Sequence, residues 1–211
     1  VSFPAELRGS IIHRILQKNN PDISKEEIIS IIKEEDRNVD DEAASSLQIE
    51  IFGRLKELFG SDIYSLINSY KKSFNEYEIY LKEEDYFLHG IIDKLIIDDK
   101  KAIIIDYKTD AVQKEEICVR ASLYFPQLKF YSYIVSRLYK ELTSFELRII
   151  FINFPGEDVN MKIGREEAIL FGDEVKAMIR QIRLREFDQN LTHCKECSFA
   201  LENSKCIVER V

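Results

Sequence analysis

"GIIDKLIIDDKKAIIIDYKTD", residues 90–110, decides the fold: it reads as two extended apolar segments joined by the polar turn "DDKK" at 98–101. Each segment carries a carboxylate inside its apolar run, Asp93 in the first and Asp106 in the second. Taking an ionised carboxylate out of water costs several kcal/mol unless a cation or hydrogen bonds offset it. Alternate residues of a strand share a face, so Asp106 and Lys108 point the same way, and a neighbouring strand can bring Asp93 beside them. Two converging carboxylates make a hard oxygen site suited to Mg²⁺ or Mn²⁺. A lysine next to such a site can orient water or stabilise developing charge. The same pattern also suits a hairpin crossed by a salt bridge between neighbouring positions.

Upstream, Leu7, Ile11, Ile12, Ile15 and Leu16 fall at helical spacing over residues 5–18. Ser24 and Glu27 form a capping box ahead of the amphipathic "EEIISIIKEE". A third helix is predicted over 43–59, ending at Gly60, and a fourth over 62–72. From Phe74 the period becomes extended, with two strands in "YEIYLKEEDYFLHGIIDKLIID" and a third in "KKAIIIDYKT". Downstream lie a long helix over 126–141, the strand "SFELRIIFINF", a turn at Pro155 and Gly156, a short strand over 159–163 and a last helix over 165–187. The expectation is an α/β fold, a central mixed sheet flanked by helices, with a helical N-terminal third. One domain spans 1–211, with residues 1–73 helical, 74–190 forming an α/β core and 191–211 a cysteine-containing tail.

A chain of 211 residues can bury one sizeable core, and 45% apolar with 32% charged residues is an ordinary globular composition. No apolar run approaches eighteen residues and no basic-then-apolar leader opens the chain, so no membrane association is expected and the cytoplasm is the expected compartment. The first residue is Val1, which reads as the start of a C-terminal fragment of a larger protein. The net charge of −8 argues against strong nonspecific attraction to nucleic acid by this domain alone.

Four stretches occur in a telling order: "RGSIIHRIL" at 8–16, "GIIDKL" at 90–95, "IIIDYKT" at 103–109 and "QLKFY" at 127–131. Together they resemble the PD-(D/E)xK nucleases, and within them the nuclease domains at the C-terminus of RecB-like and AddA-like ATP-dependent helicase-nucleases. The resemblance implies a restriction-endonuclease-like core in which His13, Asp93, Asp106 and the Tyr107 carbonyl bind Mg²⁺ or Mn²⁺. It implies that Lys108 assists the hydrolytic water, with Gln127 and Tyr131 as the next motif. The implied activity is that of an exodeoxyribonuclease leaving 5′-phosphate and 3′-hydroxyl ends during recombinational DNA repair. Implied partners are single-stranded DNA, helicase motor domains in the same parent chain and a second helicase-nuclease subunit.

The residues also have readings of their own. His13 shares a helix side with Gly9, where a small residue can leave room for it, and an imidazole among carboxylates favours Mn²⁺. Gln127 and Tyr131, four apart, can hydrogen-bond a phosphate or hold Lys108; equally, Tyr131 can pack the core with Tyr124, Phe130 and Tyr133. Glu78, in "NEYEIY", matches an acidic position of the family and is expected just outside the metal's contacts, although a solvated acidic strand explains it as well. Two rival readings are a non-catalytic DNA- or partner-binding module of the same fold, and a scaffold held by its tail.

That tail, "HCKECSFALENSKC" at 193–206, spaces Cys194, Cys197 and Cys206 as C-x2-C-x8-C. Some members of the family hold a [4Fe–4S] cluster with a fourth cysteine upstream of the nuclease motifs, whereas the one further cysteine here, Cys118, follows them. His193 with three cysteines is the zinc alternative. The expectation is a tail without metal.

Overall fold

The computed structural model describes residues 3–186. Four helices come first: α1 (Ala5–Lys18), α2 (Lys25–Glu35), α3 (Asp41–Phe59) and α4 (Asp62–Asn68). α1 buries the predicted stripe of Ile11, Ile12, Ile15 and Leu16, and ends at Asn19, whose φ of 48° is left-handed. The capping box of α2 forms: Glu27 N–H donates to Ser24 Oγ at 3.2 Å, and Ser24 N–H to the Glu27 carboxylate at 3.0 Å. α4 stops at Asn68 rather than continuing to residue 72; the Lys72 carbonyl accepts Ile97 N–H at 3.0 Å.

β1 (Ser73–Lys82), β2 (Phe87–Asp98) and β3 (Lys101–Lys108) follow as an antiparallel meander. The turn between the last two is the predicted one, with Asp98 paired to Lys101 and Asp99 at φ 50°. β4 (Ser144–Phe151) lies parallel to β3, so the chain must cross over. It does so through a 3-10 turn at 114–116, α5 (Ile117–Ser122) and α6 (Phe125–Leu138). α5 was not anticipated; "ICVRAS" is short and carries β-branched residues, so nothing in its local sequence favours a helix. α6 ends three residues before the expected boundary because Tyr139 turns extended and its hydroxyl meets that of Tyr77 at 2.8 Å. β5 (Asp158–Gly164) closes the sheet beside β4, giving the order β1-β2-β3-β4-β5.

β3 is buried on both faces, as the central strand of such a sheet should be. On one face Ile96, Ile103, Ile105, Tyr107, Ile150 and Ile152 join the apolar stripes of α1 to α4 in a single core. α6 packs over the opposite face. Each fully buried isoleucine contributes roughly 1.5–3 kcal/mol. Lys94, almost wholly buried, donates to Asn68 and Asn75 at 2.9 Å each and so ties α4 to β1. Burial with no carboxylate partner lowers its ammonium to about 8.

The last helix, α7 (Arg165–Leu184), begins with Arg165 donating to the carbonyls of Ser136, Tyr139 and Leu142, which satisfies groups left open where α6 ends. Gly172 lies against the Tyr133 ring, where a Cβ would approach to 2.2 Å. Among the described residues, those up to Gly172 form one compact unit and those from Asp173 a second. Among the described residues, no helix is long and apolar enough to cross a membrane.

Candidate active site at an opening between two strands

The β2–β3 ladder runs from Asp98–Lys101 to Lys94–Ile105 and stops there. β2 continues to Phe87 alongside β1, and β3 continues to Lys108 alongside β4. The two central strands therefore part immediately beyond Lys94 and Ile105, and the first residues in the opening are Asp93 and Asp106. Asp93 Oδ2 accepts the Tyr107 N–H at 2.7 Å, replacing the ladder bond that parting removes. In an extended strand the N–H and C=O of a residue point to the same side, so the Tyr107 carbonyl also faces this opening.

α1 supplies His13 from one side. Its Nδ1 lies 3.3 Å from Asp93 Oδ1 and 3.8 Å from Glu76 Oε1. Glu76 is the residue that sequence reasoning passed over. Asn75 reaches the Gln17 carbonyl of α1, whereas Tyr77, two residues on, meets Tyr139 beyond α6. On a regular strand these two would share a face; Glu76 between them, at φ 46°, reverses the alternation and brings its own carboxylate beside His13. Glu78 lies instead on the exposed outer side of β1, bonded to Tyr80 and His89. Strand periodicity puts both glutamates on one face, and no residue type nearby announces the reversal.

α6 supplies the other side. Lys108 Nζ sits 2.7 Å from Asp106 Oδ2, 3.4 Å from Gln127 Oε1 and 4.2 Å from the centre of the Tyr124 ring. Gln127 Nε2 donates to Tyr131 OH at 2.8 Å. The Tyr131 ring is buried, and its hydroxyl accepts from the Gln127 amide that faces Lys108. Gly90 lies directly against that ring, where a Cβ would come within 2.6 Å of Cε1. Gly9 leaves space of a different kind from that expected, since a Cβ there would meet Thr109 Oγ1 at 3.4 Å.

The electrostatics describe a site short of positive charge. Burial works to lower His13, but hydrogen bonds and charge from Asp93 and Glu76 outweigh it and raise the imidazole to about 10. Asp106 is raised to about 6 by burial and by the charge of Asp93, which Lys108 and His13 only partly counter. Its buried Oδ2 is ion-paired with Lys108 Nζ at 2.7 Å. His13, Glu76 and Asp93 offer ligand atoms that all lie within 4.8 Å of one another. One imidazole and converging carboxylates fit a divalent cation that accepts oxygen and nitrogen ligands. Cys118 is exposed; Cys194, Cys197, Cys206 and His193 lie outside the described residues.

The family model of the PD-(D/E)XK nuclease superfamily matches residues 2–201. The chain belongs to this superfamily. Its mixed five-stranded sheet with flanking helices is accordingly a PD-(D/E)XK fold. A curated relative from Clostridioides difficile (strain 630), one of the subunits of an ATP-dependent helicase/nuclease, is 32% identical over 93 residues. That stretch is 44% of this chain and 7% of the relative, so the chain spans a small fraction of that protein's length. A crystal structure described as that of a candidate exonuclease from Eubacterium rectale is 15% identical, with a TM-score of 0.48 over 89% of this chain and 70% of the other.

Proposed function

We propose that this superfamily member hydrolyses DNA phosphodiester bonds with the help of a bound divalent cation, Mg²⁺ or Mn²⁺. The observation that carries the reading is the convergence of Asp93 and Asp106 where β2 and β3 part, with His13 and Glu76 on one side and Lys108 held by Gln127 on the other. His13, Glu76, Asp93, Asp106 and the Tyr107 carbonyl are the groups that would hold the cation. When bound, such a cation lowers the pKa of water and offsets charge on a phosphoryl group.

The chain's own groups do the rest. Lys108, fixed between a carboxylate, an amide and an aromatic face, places an ammonium where it can hydrogen-bond the attacking water or a phosphate oxygen as charge develops. Gln127 and Tyr131 act by positioning Lys108. The products would be 5′-phosphate and 3′-hydroxyl ends. Likeness to a stretch of one helicase/nuclease protein supports placing this domain in a larger helicase-nuclease, acting on single strands delivered by a motor in the same chain, beside a second subunit, in double-strand-break repair. Such a motor would provide the grip on DNA that a net charge of −8 does not.

The test is hydrolysis of end-labelled single-stranded DNA with Mg²⁺, Mn²⁺ or EDTA, comparing the wild-type chain with Asp106→Ala and Lys108→Ala. Cleavage that needs the cation and falls by at least about a hundredfold in both variants is expected. Cleavage that survives EDTA, or both substitutions, overturns the proposal.

A further inference from the structure

The outer side of the β1–β2 hairpin carries a row of large side chains that none of the described residues covers. Tyr80, Phe87 and Ile91 are 54%, 67% and 44% exposed, and His89 stands among them. Their positions follow from the register: Tyr80 pairs with His89, Lys82 with Phe87 and Glu78 with Ile91, so all six side chains emerge on one face. Solvent exposure of one aromatic ring is ordinary, but a contiguous row of this kind marks an interaction surface.

Two details specify what the surface suits. The rings of Tyr80 and His89 are stacked, with centroids 4.5 Å apart and planes 18° from parallel. Glu78 ties both down, accepting the Tyr80 hydroxyl and lying 3.0 Å from His89 Nε2. The pair is thus a preordered flat aromatic step rather than two mobile side chains, and ordering it takes little further entropy when a planar group lands on it. Second, β2 leads from this face straight to Asp93, which lies four positions beyond His89, about 13 Å along the strand. A polymer whose backbone lies at Asp93 and Asp106 has its neighbouring units within reach of these rings.

On this footing, and resting on the nuclease reading above, the geometry points to a base-stacking platform for single-stranded DNA: Tyr80, Phe87 and His89 receive unpaired bases next to the scissile phosphate, with Lys82 beside the strand. Stacking on aromatic side chains is tolerant of sequence because every base has a π-face. With Lys82 the one cation in the row, the platform holds bases rather than gripping phosphates, so its contribution resists added salt. Duplex DNA, whose bases are already stacked, gains nothing from it.

The test measures binding apart from cleavage. The full 211-residue chain in EDTA is titrated into a dye-labelled oligothymidine and into an abasic strand of equal length, with anisotropy as readout; hydrolysis by wild type in Mn²⁺ is followed alongside. Tyr80→Ala and Phe87→Ala should each weaken oligothymidine binding by roughly tenfold. Tyr80→Phe, which keeps the ring, should bind within about twofold of wild type, and the abasic strand should bind weakly and equally to all. Should wild type cleave single strands while Tyr80→Ala and Phe87→Ala bind oligothymidine as tightly as it does, the platform is overturned and the nuclease reading stands. Equal wild-type affinity for abasic and base-containing strands overturns it too. A wild-type chain that binds oligothymidine in preference to the abasic strand but cleaves neither in Mn²⁺ overturns the nuclease reading alone.

Discussion

Asp93 Oδ2 accepts the backbone N–H of Tyr107 at 2.7 Å, at the point where the β2–β3 ladder ends. One carboxyl group thus does two things: it closes the open end of the sheet with one oxygen and faces His13 with the other, at 3.3 Å. The two roles can be separated. Asp93→Ala leaves the Tyr107 N–H without its acceptor and should destabilise the fold by about 1–3 kcal/mol, besides abolishing activity. Asp93→Asn keeps an acceptor but loses the charge that raises His13, and should lose less stability than Asp93→Ala while being equally inactive. Urea denaturation beside the cleavage assay checks this, and an active Asp93→Asn domain would sink the metal role.

Gly90 and Tyr131 are coupled by contact. Because a Cβ at 90 would come 2.6 Å from Tyr131 Cε1, Gly90→Ala must push the ring and disturb the amide that faces Lys108. A loss of about 1–3 kcal/mol in stability and a fall in kcat are expected. In a Tyr131→Ala background the same substitution should be nearly neutral, so a double-mutant cycle should return a coupling energy of about 1 kcal/mol or more.

Glu76 sits at φ 46°, a conformation that disfavours residues with a Cβ. Glu76→Gly relieves that strain and adds chain entropy to the unfolded state, so the metal-free domain should change by less than about 1 kcal/mol. Mn²⁺ affinity, measured by calorimetry, should nonetheless fall. Unchanged affinity would remove Glu76 from the cation site.

Metal-free stability should decline as pH rises through neutrality. His13, raised from 6.5 to about 10, contributes stability that is fully present below pH 6.5 and is lost progressively toward pH 10. Asp106, raised from 3.8 to about 6, takes a proton more readily folded than unfolded, so its effect has the same sign between those values. Lys94, lowered from 10.5 to about 8, acts oppositely only above pH 8. In EDTA the melting temperature should therefore drop between pH 6.5 and 8, the drop should be smaller in His13→Ala, and added Mn²⁺ should stabilise more at pH 8, where fewer protons compete for the ligands. A melting temperature that rises with pH in EDTA would contradict the site's charge balance.

Much of this was legible in the chain. Periodicity, Ser24 with Glu27, and the turn at 98–101 depend on neighbours in sequence, and the helices and strands they predict are present within a few residues. Asp106 and Lys108 share a face because strand geometry repeats every two residues, and the order of four short motifs pointed to the superfamily that the chain belongs to. Long-range contact decided the remainder. α5 forms where no local signal favours it, and α6 ends early where Tyr139 turns extended and meets Tyr77 of β1. The parting of β2 from β3, the reversal at Glu76 that selects it over Glu78, and the contact of Gly90 with Tyr131 all arise between residues far apart in the chain. Local patterns report the repeat of one element, whereas these features exist only once several elements compete for the same space.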